Sequence, residues 1–123
     1  KTSHFQFIHN FFNQNTKRQF YQIIEPIVKK INPIALERVK GNCNPKTTEI
    51  IETGIHQDSY DKRLTSSVFF VNDCDGYCKI EGNKIYSKQN RLVTFSSSSE
   101  HTGTTCTDKS RRVLINLVYL ASL

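Results

Sequence analysis

Long apolar runs are missing from this chain. No stretch approaches the roughly eighteen consecutive apolar residues of a membrane helix, and no charged-then-apolar leader opens it, so neither a span nor a secretion signal is visible. Methionine is absent as well and the first residue is Lys1, so a translated segment is expected upstream, where a leader stays open. A second close cysteine pair is also lacking. Cys43, Cys74, Cys78 and Cys106 are spaced irregularly; Cys74 with Cys78 is half of a zinc pattern that nothing completes, so reduced thiols in a cytoplasmic setting are the expectation. There is no internal repeat, and the one low-complexity patch is the serine run Ser96 to Ser99.

What is present suits one folded domain over residues 1–123. Hydrophobic content is 37%, with eight Phe and five Tyr, enough for a packed interior. The net charge of +6 is moderate, and its Lys and Arg are scattered (Lys17, Arg18, Lys29, Lys30, Lys62, Arg63) rather than laid along one helix face, which argues for a solvated surface over a nucleic-acid groove.

Apolar positions at Phe20, Ile23, Ile24, Ile27, Val28 and Ile31 recur at helical spacing and predict a helix from Thr16 to Ile31, with Thr16 and Gln19 as a capping box. Pro26 should bend or split it, and Asn32-Pro33 should stop it. This assigns a helical part to residues 1–33 and a β core to 34–123. Beyond the helix the period becomes that of strands, near Ala35 to Asn42, Glu49 to Thr53, Leu64 to Val71, Tyr77 to Ile80, Lys84 to Tyr86, Arg91 to Phe95 and Arg112 to Leu120. Turn clusters at Asn44-Pro45, Asn72 to Gly76, Glu81-Gly82-Asn83 and the serine run separate them. A mainly β, α+β fold is expected: a double-stranded β-helix, or cupin-like jelly roll, with the helix packed on one sheet.

The stretch GIHQDSYDKRLTSSVFFVND carries His56 and Asp58 just ahead of a strand. Alone, such a pair is most often a solvated turn. If the chain is extended there, alternation sends both side chains to one face, as two ligands of one ion require. A third ligand could come from His4, His9 or His101; the early two sit in an aromatic stretch, whereas His101 precedes the long final strand. That strand, RRVLINLVYL, places Arg112, Leu114, Asn116 and Val118 on one face. A buried amide beside an arginine implies a polar cavity, and a buried guanidinium calls for an anion, best a planar carboxylate. Arg111 has the opposite parity and an outer position is expected for it. Two histidines, an aspartate and an anion-seeking arginine are the set of a non-haem Fe(II) oxygenase.

In these motifs the chain resembles the 2-oxoglutarate- and Fe(II)-dependent dioxygenases. Within them it is most similar to the prolyl-4-hydroxylase-like branch and its short marine bacteriophage forms, over roughly residues 5–121. The likeness is strongest in KINPIALERVKGN, ETGIHQDSYDKRLTSSVFFVND, GYCKIEGNKIYSKQNRLVTF and EHTGTTCTDKSRRVLINLVY. It implies that His56, Asp58 and His101 hold Fe(II), that Arg112 holds the distal carboxylate of 2-oxoglutarate, with Arg111 as its one-residue alternative, and that Asn116 assists. Phe70 stands where many relatives have a tyrosine, and so lacks a hydroxyl for the co-substrate. Asp58 argues against a halogenating relative. The resemblance further implies hydroxylation of a prolyl residue in a peptide or protein, with succinate and carbon dioxide as co-products and ascorbate as a supporting reductant. Tyr60 and Arg63 are candidates for substrate contact from the barrel mouth. A nucleic-acid demethylase of the same chemistry and a non-enzymatic cupin-like binding module are the alternatives. Phe69, Phe70 and Phe95 read as core, Cys106 as a loop thiol and Lys109-Ser110-Arg111 as a solvated turn.

Overall fold

A computed structural model describes residues 5–122; the candidate ligand His4 lies outside them. In chain order the elements are β1 (Phe7–Asn13), β2 (Thr16–Lys17), α1 (Tyr21–Ile31), β3 (Ala35–Pro45), β4 (Leu64–Phe70), β5 (Tyr77–Ile80), β6 (Asn83–Tyr86), β7 (Leu92–Ser96), β8 (His101–Gly103) and β9 (Arg111–Leu120). Two antiparallel sheets face each other, one of six strands in the order β2-β1-β3-β9-β4-β7 and one of three in the order β6-β5-β8. This is a cupin-like jelly roll with a helix on one sheet.

Alternation on β9 divides the interior into two compartments. Ile115, Leu117 and Tyr119 point to α1 and pack with Tyr21, Ile24, Val39 and Phe12 in a dry cluster, where burying a side chain such as Ile24 contributes roughly 1.5–3 kcal/mol. Arg112, Leu114 and Asn116 point the other way, into the space between the sheets. β3 lies beside β9 in register, Asn44 opposite Arg112, Asn42 opposite Leu114 and Lys40 opposite Asn116, so its polar residues share that inner face. Gly41 faces the helix side, where the Phe11 ring comes within 2.9 Å of the position a Cβ would take.

The N-terminal part departs from the helical reading of residues 1–33. Residues 7–17 form a hairpin, and α1 begins only at Tyr21. Gln14 and Asn15 both take positive φ (51° and 58°) between the paired residues Asn13 and Thr16, the two-residue turn that matches strand twist. Thr16 is thereby drawn into β2, its hydroxyl donates to the Gln14 carbonyl, and no capping box forms; Phe20, left-handed at φ 65°, precedes the helix without a side-chain cap. Phe20 and Ile23, counted into the apolar stripe, are exposed. Pro26 does not split α1, which runs through it to Ile31, and Asn32 stops it as expected, left-handed and bonded to the Val28 carbonyl.

The strand expected at Glu49 to Thr53 is not a regular one. The segment flanks β8 through the bridge Glu52–Thr104 and the bonds Thr53 N–H to Gly103 O and Thr105 N–H to Ile51 O. Threonine hydroxyls replace part of the ladder, Thr105 accepting from the Ile51 N–H and Thr102 from the Gly54 N–H. The segment ends three residues before His56, so the irregular strand delivers that histidine alongside His101.

Candidate metal centre and anion pocket

His56 and His101 are brought together by the backbone itself. Each donates its N–H to the other's carbonyl at 2.9 Å, the bridge of an antiparallel pair, and this sets their imidazoles side by side with ring centroids 4.4 Å apart. Each ring turns Nδ1 to a carbonyl two residues back, His56 to Gly54 at 3.1 Å and His101 to Ser99 at 2.9 Å. Donation there leaves the lone pair on Nε2, the arrangement that orients a metal-binding histidine.

Asp58 supplies the third group. Its Oδ1 lies 3.4 Å from His101 Nε2 and 3.8 Å from His56 Nε2, and one ligand atom from each of the three residues falls within 4.8 Å of the others. Metal–ligand bonds of about 2.1 Å separate two ligand atoms by about 3.0 Å at a right angle and about 3.4 Å in a tetrahedron. The Asp58–His101 spacing of 3.4 Å is therefore within about 0.4 Å of a chelating pair, the Asp58–His56 spacing of 3.8 Å is about 0.4 to 0.8 Å wider, and the two imidazoles offer ligand atoms within 4.8 Å of each other. His56 is the exposed member, its side chain 54% accessible, whereas those of Asp58 and His101 are buried.

The serine run and the strand opposite it hold this cluster. The Ser97 carbonyl accepts from the N–H groups of Asp58 and Ser59, the Gln57 amide donates to the Ser98 carbonyl, and Ser99 holds His101. Ser66, fully buried, donates to Asp58 Oδ2 at 2.6 Å and shares a 2.7 Å bond with Ser97. Arg38 reaches Asp58 Oδ1 and Asn116 Oδ1, each at 3.5 Å, and Asn116 donates to Asp58 Oδ2 at 3.4 Å. Burial opposes ionisation of Asp58, but its contact with the facing His101 imidazole, the Ser66 hydrogen bond and the Arg38 charge outweigh it and hold its pKa well below the usual carboxylate range. Burial likewise opposes protonation of His101, and the Asp58 and Ser99 contacts overcome it, raising its pKa.

Arg112 occupies the other end of the same cavity, a space of about 110 Å³ that both it and the three ligand candidates line. It is fully buried: Nε donates to Ser87 Oγ at 2.7 Å, one terminal nitrogen to the Thr104 carbonyl at 3.1 Å and the other toward Cys78 Sγ at 3.3 Å. The guanidinium lies over the Phe70 ring, 5.6 Å from its centroid. Gly76 is pressed against it, since a Cβ there would lie 2.5 Å from Arg112 Cδ and 2.6 Å from the Thr105 carbonyl oxygen. None of these partners is an anion. Burial pushes the Cys78 thiol up although Arg112 draws it down, so the sulfur is no counter-ion. Among the described residues no carboxylate lies within ion-pair distance of Arg112.

The other candidates are dispersed. His9 contacts the Gln19 carbonyl, away from the cluster. Arg111 is exposed, and its side chain hydrogen-bonds only Ser110 among the described residues, so the register of β9 gives the inner position to Arg112. Asn116 is aimed at Asp58 and Arg38 rather than at the Arg112 end. Tyr60 is 85% exposed, and Arg63 forks onto its neighbour Asp61; neither lines the cavity. Phe70 is buried with Val68, Cys78 and Leu114, Phe95 packs on that cluster and on His101, and Phe69 packs toward the helix. All four cysteines are free. Sequence reasoning overlooked Arg38, Ser66 and the serine run; the run's position just ahead of His101 was the available signal. No helix among the described residues is long and apolar enough to cross a membrane.

No family model matches the sequence, and no curated protein matches it. Solved structures do resemble the fold. An oxidoreductase of the 2OG-Fe(II) oxygenase family from Burkholderia pseudomallei is similar over 95% of this chain and 69% of its own, with a TM-score of 0.71 at 12% identity. A cupin protein from Bacteroides fragilis covers 78% and 75% (TM-score 0.56, 11% identity), and the cupin domain of an XRE-family transcriptional regulator from Enterobacter cloacae 93% and 95% (TM-score 0.53, 11% identity). At such identities the likeness establishes the cupin-like fold, which enzymes and regulators share.

Proposed function

We propose that this chain is a 2-oxoglutarate- and Fe(II)-dependent dioxygenase. The observation that carries the reading is the buried Arg112 guanidinium, without a counter-ion, lining the same cavity as a two-histidine, one-carboxylate cluster. A cupin that only binds a metal has no use for that cation, whereas a co-substrate chelating the metal at one end and ending in a carboxylate at the other needs both. The likeness to the Burkholderia oxidoreductase supports the reading.

The donor set fits Fe(II): two imidazole Nε2 atoms and one carboxylate oxygen on one side, with the exposed His56 at the rim. His56, Asp58 and His101 would hold the ion, which with 2-oxoglutarate supplies dioxygen activation and yields succinate and carbon dioxide beside the oxidised product. Ser66 and Arg38 keep Asp58 ionised, and with Asn116 they hold it toward the histidines. Arg112 would take the distal carboxylate with the N–H groups that Ser87, Thr104 and Cys78 leave free. Phe70 supports its plane from below, the part this position plays in place of a tyrosine hydroxyl. Leu114 and Val68 give the cavity apolar lining, which would help to exclude water. A prolyl residue of a peptide is the substrate we favour, approaching the mouth past Tyr60 and Arg63, with ascorbate as supporting reductant and the cytoplasm as setting.

The test is anaerobic loading with Fe(II) and 2-oxoglutarate, admission of oxygen and measurement of succinate. Turnover is expected in the wild type. Arg112→Met should weaken 2-oxoglutarate binding about 10- to 100-fold, the loss of a charge-assisted pair, while metal binding persists. Metal binding without any succinate would instead favour a non-enzymatic cupin module.

A further inference from the structure

Lys40 is a second cation in the cavity with nothing to hold. It lines the space from β3, directly opposite Asn116 in the ladder, and among the described residues no carboxylate lies within ion-pair distance of it. Asp58 is the one acidic residue of the lining, and it is already engaged by Ser66, Arg38 and Asn116. Charge then decides what the cavity takes. Lys40 and Arg112 supply two positive charges to the lining, and its one negative charge, Asp58, is already paired with Arg38. The charges of a divalent ion and a dicarboxylate co-substrate cancel. The surplus positive charge therefore rests on Lys40, because Arg112 is committed to the co-substrate.

Two further groups face the same space. Asn42 and Asn44 follow Lys40 on the inner face of β3, both line the cavity, and the buried Oδ1 of each has no hydrogen-bond partner among the described residues. A buried acceptor without a donor costs about 1–3 kcal/mol, which a ligand bearing N–H or O–H groups would recover.

We infer that Lys40 binds a carboxylate of the primary substrate, which also offers hydrogen-bond donors to Asn42 and Asn44. The inference rests on the dioxygenase reading and gives its substrate a chemical class. That carboxylate can belong to a free amino acid or to an acidic residue of a peptide, and an uncharged prolyl peptide lacks it.

Protein loaded with Zn(II) and saturated with 2-oxoglutarate is titrated by saturation-transfer NMR with two pairs of probes. One pair is L-proline and L-prolinamide; the other is a blocked Glu-Pro-Ala peptide and its Gln-Pro-Ala counterpart. At least one acid should bind ten times or more tighter than its amide, the winning pair telling a free acid from an acidic peptide. Lys40→Met should abolish that ratio and Lys40→Arg keep it, with 2-oxoglutarate affinity within twofold of wild type in both. Equal binding of acid and amide in both pairs, no binding by either acid, or a fall in 2-oxoglutarate affinity in Lys40→Met overturns the inference. A wild type that takes up no 2-oxoglutarate overturns the dioxygenase reading itself, and this assignment with it.

Discussion

The two faces of the six-stranded sheet are made by the same strands one residue out of phase, yet they are opposite in character. Toward α1 stand Val39, Ile115, Leu117 and Tyr119, closed over by Tyr21 and Ile24. Toward the small sheet stand Lys40, Asn42, Asn44, Arg112 and Asn116; Asn44, Arg112 and Asn116 are as buried as the apolar set, and the Oδ1 atoms of Asn42 and Asn44 have no hydrogen-bond partner among the described residues. Each face bears a different load. The dry face supplies cohesion, and the wet face keeps ligand groups in place at a cost in stability that the dry face offsets.

Substitutions on either side should separate these roles. Leu117→Ala, at a fully buried position of the dry face, should destabilise the fold by about 2–5 kcal/mol in denaturant unfolding, with metal affinity per folded molecule unchanged. Ser66→Ala on the wet side removes the 2.6 Å hydrogen bond to Asp58. It should cost roughly 10- to 100-fold in metal affinity, read by titration, with far less effect on stability than Leu117→Ala. Arg111→Ala, exposed at the start of β9, should change stability by no more than about 0.5 kcal/mol and leave 2-oxoglutarate binding alone. A strong effect at Arg111 with none at Arg112 would mean that the register of β9 is shifted by one residue and the faces exchanged.

Much of this division was legible in the sequence because strand periodicity is simple. The parity of RRVLINLVYL put Arg112 and Asn116 together and sent Arg111 outward, as the ladder with β3 does. His56, Asp58 and His101 were named from spacing and resemblance, and one cluster contains them. The N-terminal hairpin was not legible. Its turn, Gln14-Asn15 in left-handed conformation, runs directly into the Thr16–Gln19 capping-box pattern, and the pairing of Thr16 with Asn13 prevailed over local helix propensity. Lys40 and Arg38 were hidden for another reason. Cations on a strand with half-exposed positions look like solvated surface until the register sets Lys40 opposite Asn116 and the fold brings Arg38 to Asp58. The serine run looked like filler because its contribution lies in carbonyl groups, which every residue has; its position before His101 is what matters.

The central claim is that three side chains from distant parts of the chain share one ion. Anaerobic titration with Fe(II), or with Co(II) read by its absorption bands, tests it directly in the wild type and in His56→Ala, Asp58→Ala and His101→Ala. One metal per chain is expected, bound at least about 100-fold more weakly in each variant, with the loss at buried His101 no smaller than that at exposed His56. Wild-type affinity retained in all three variants would contradict it.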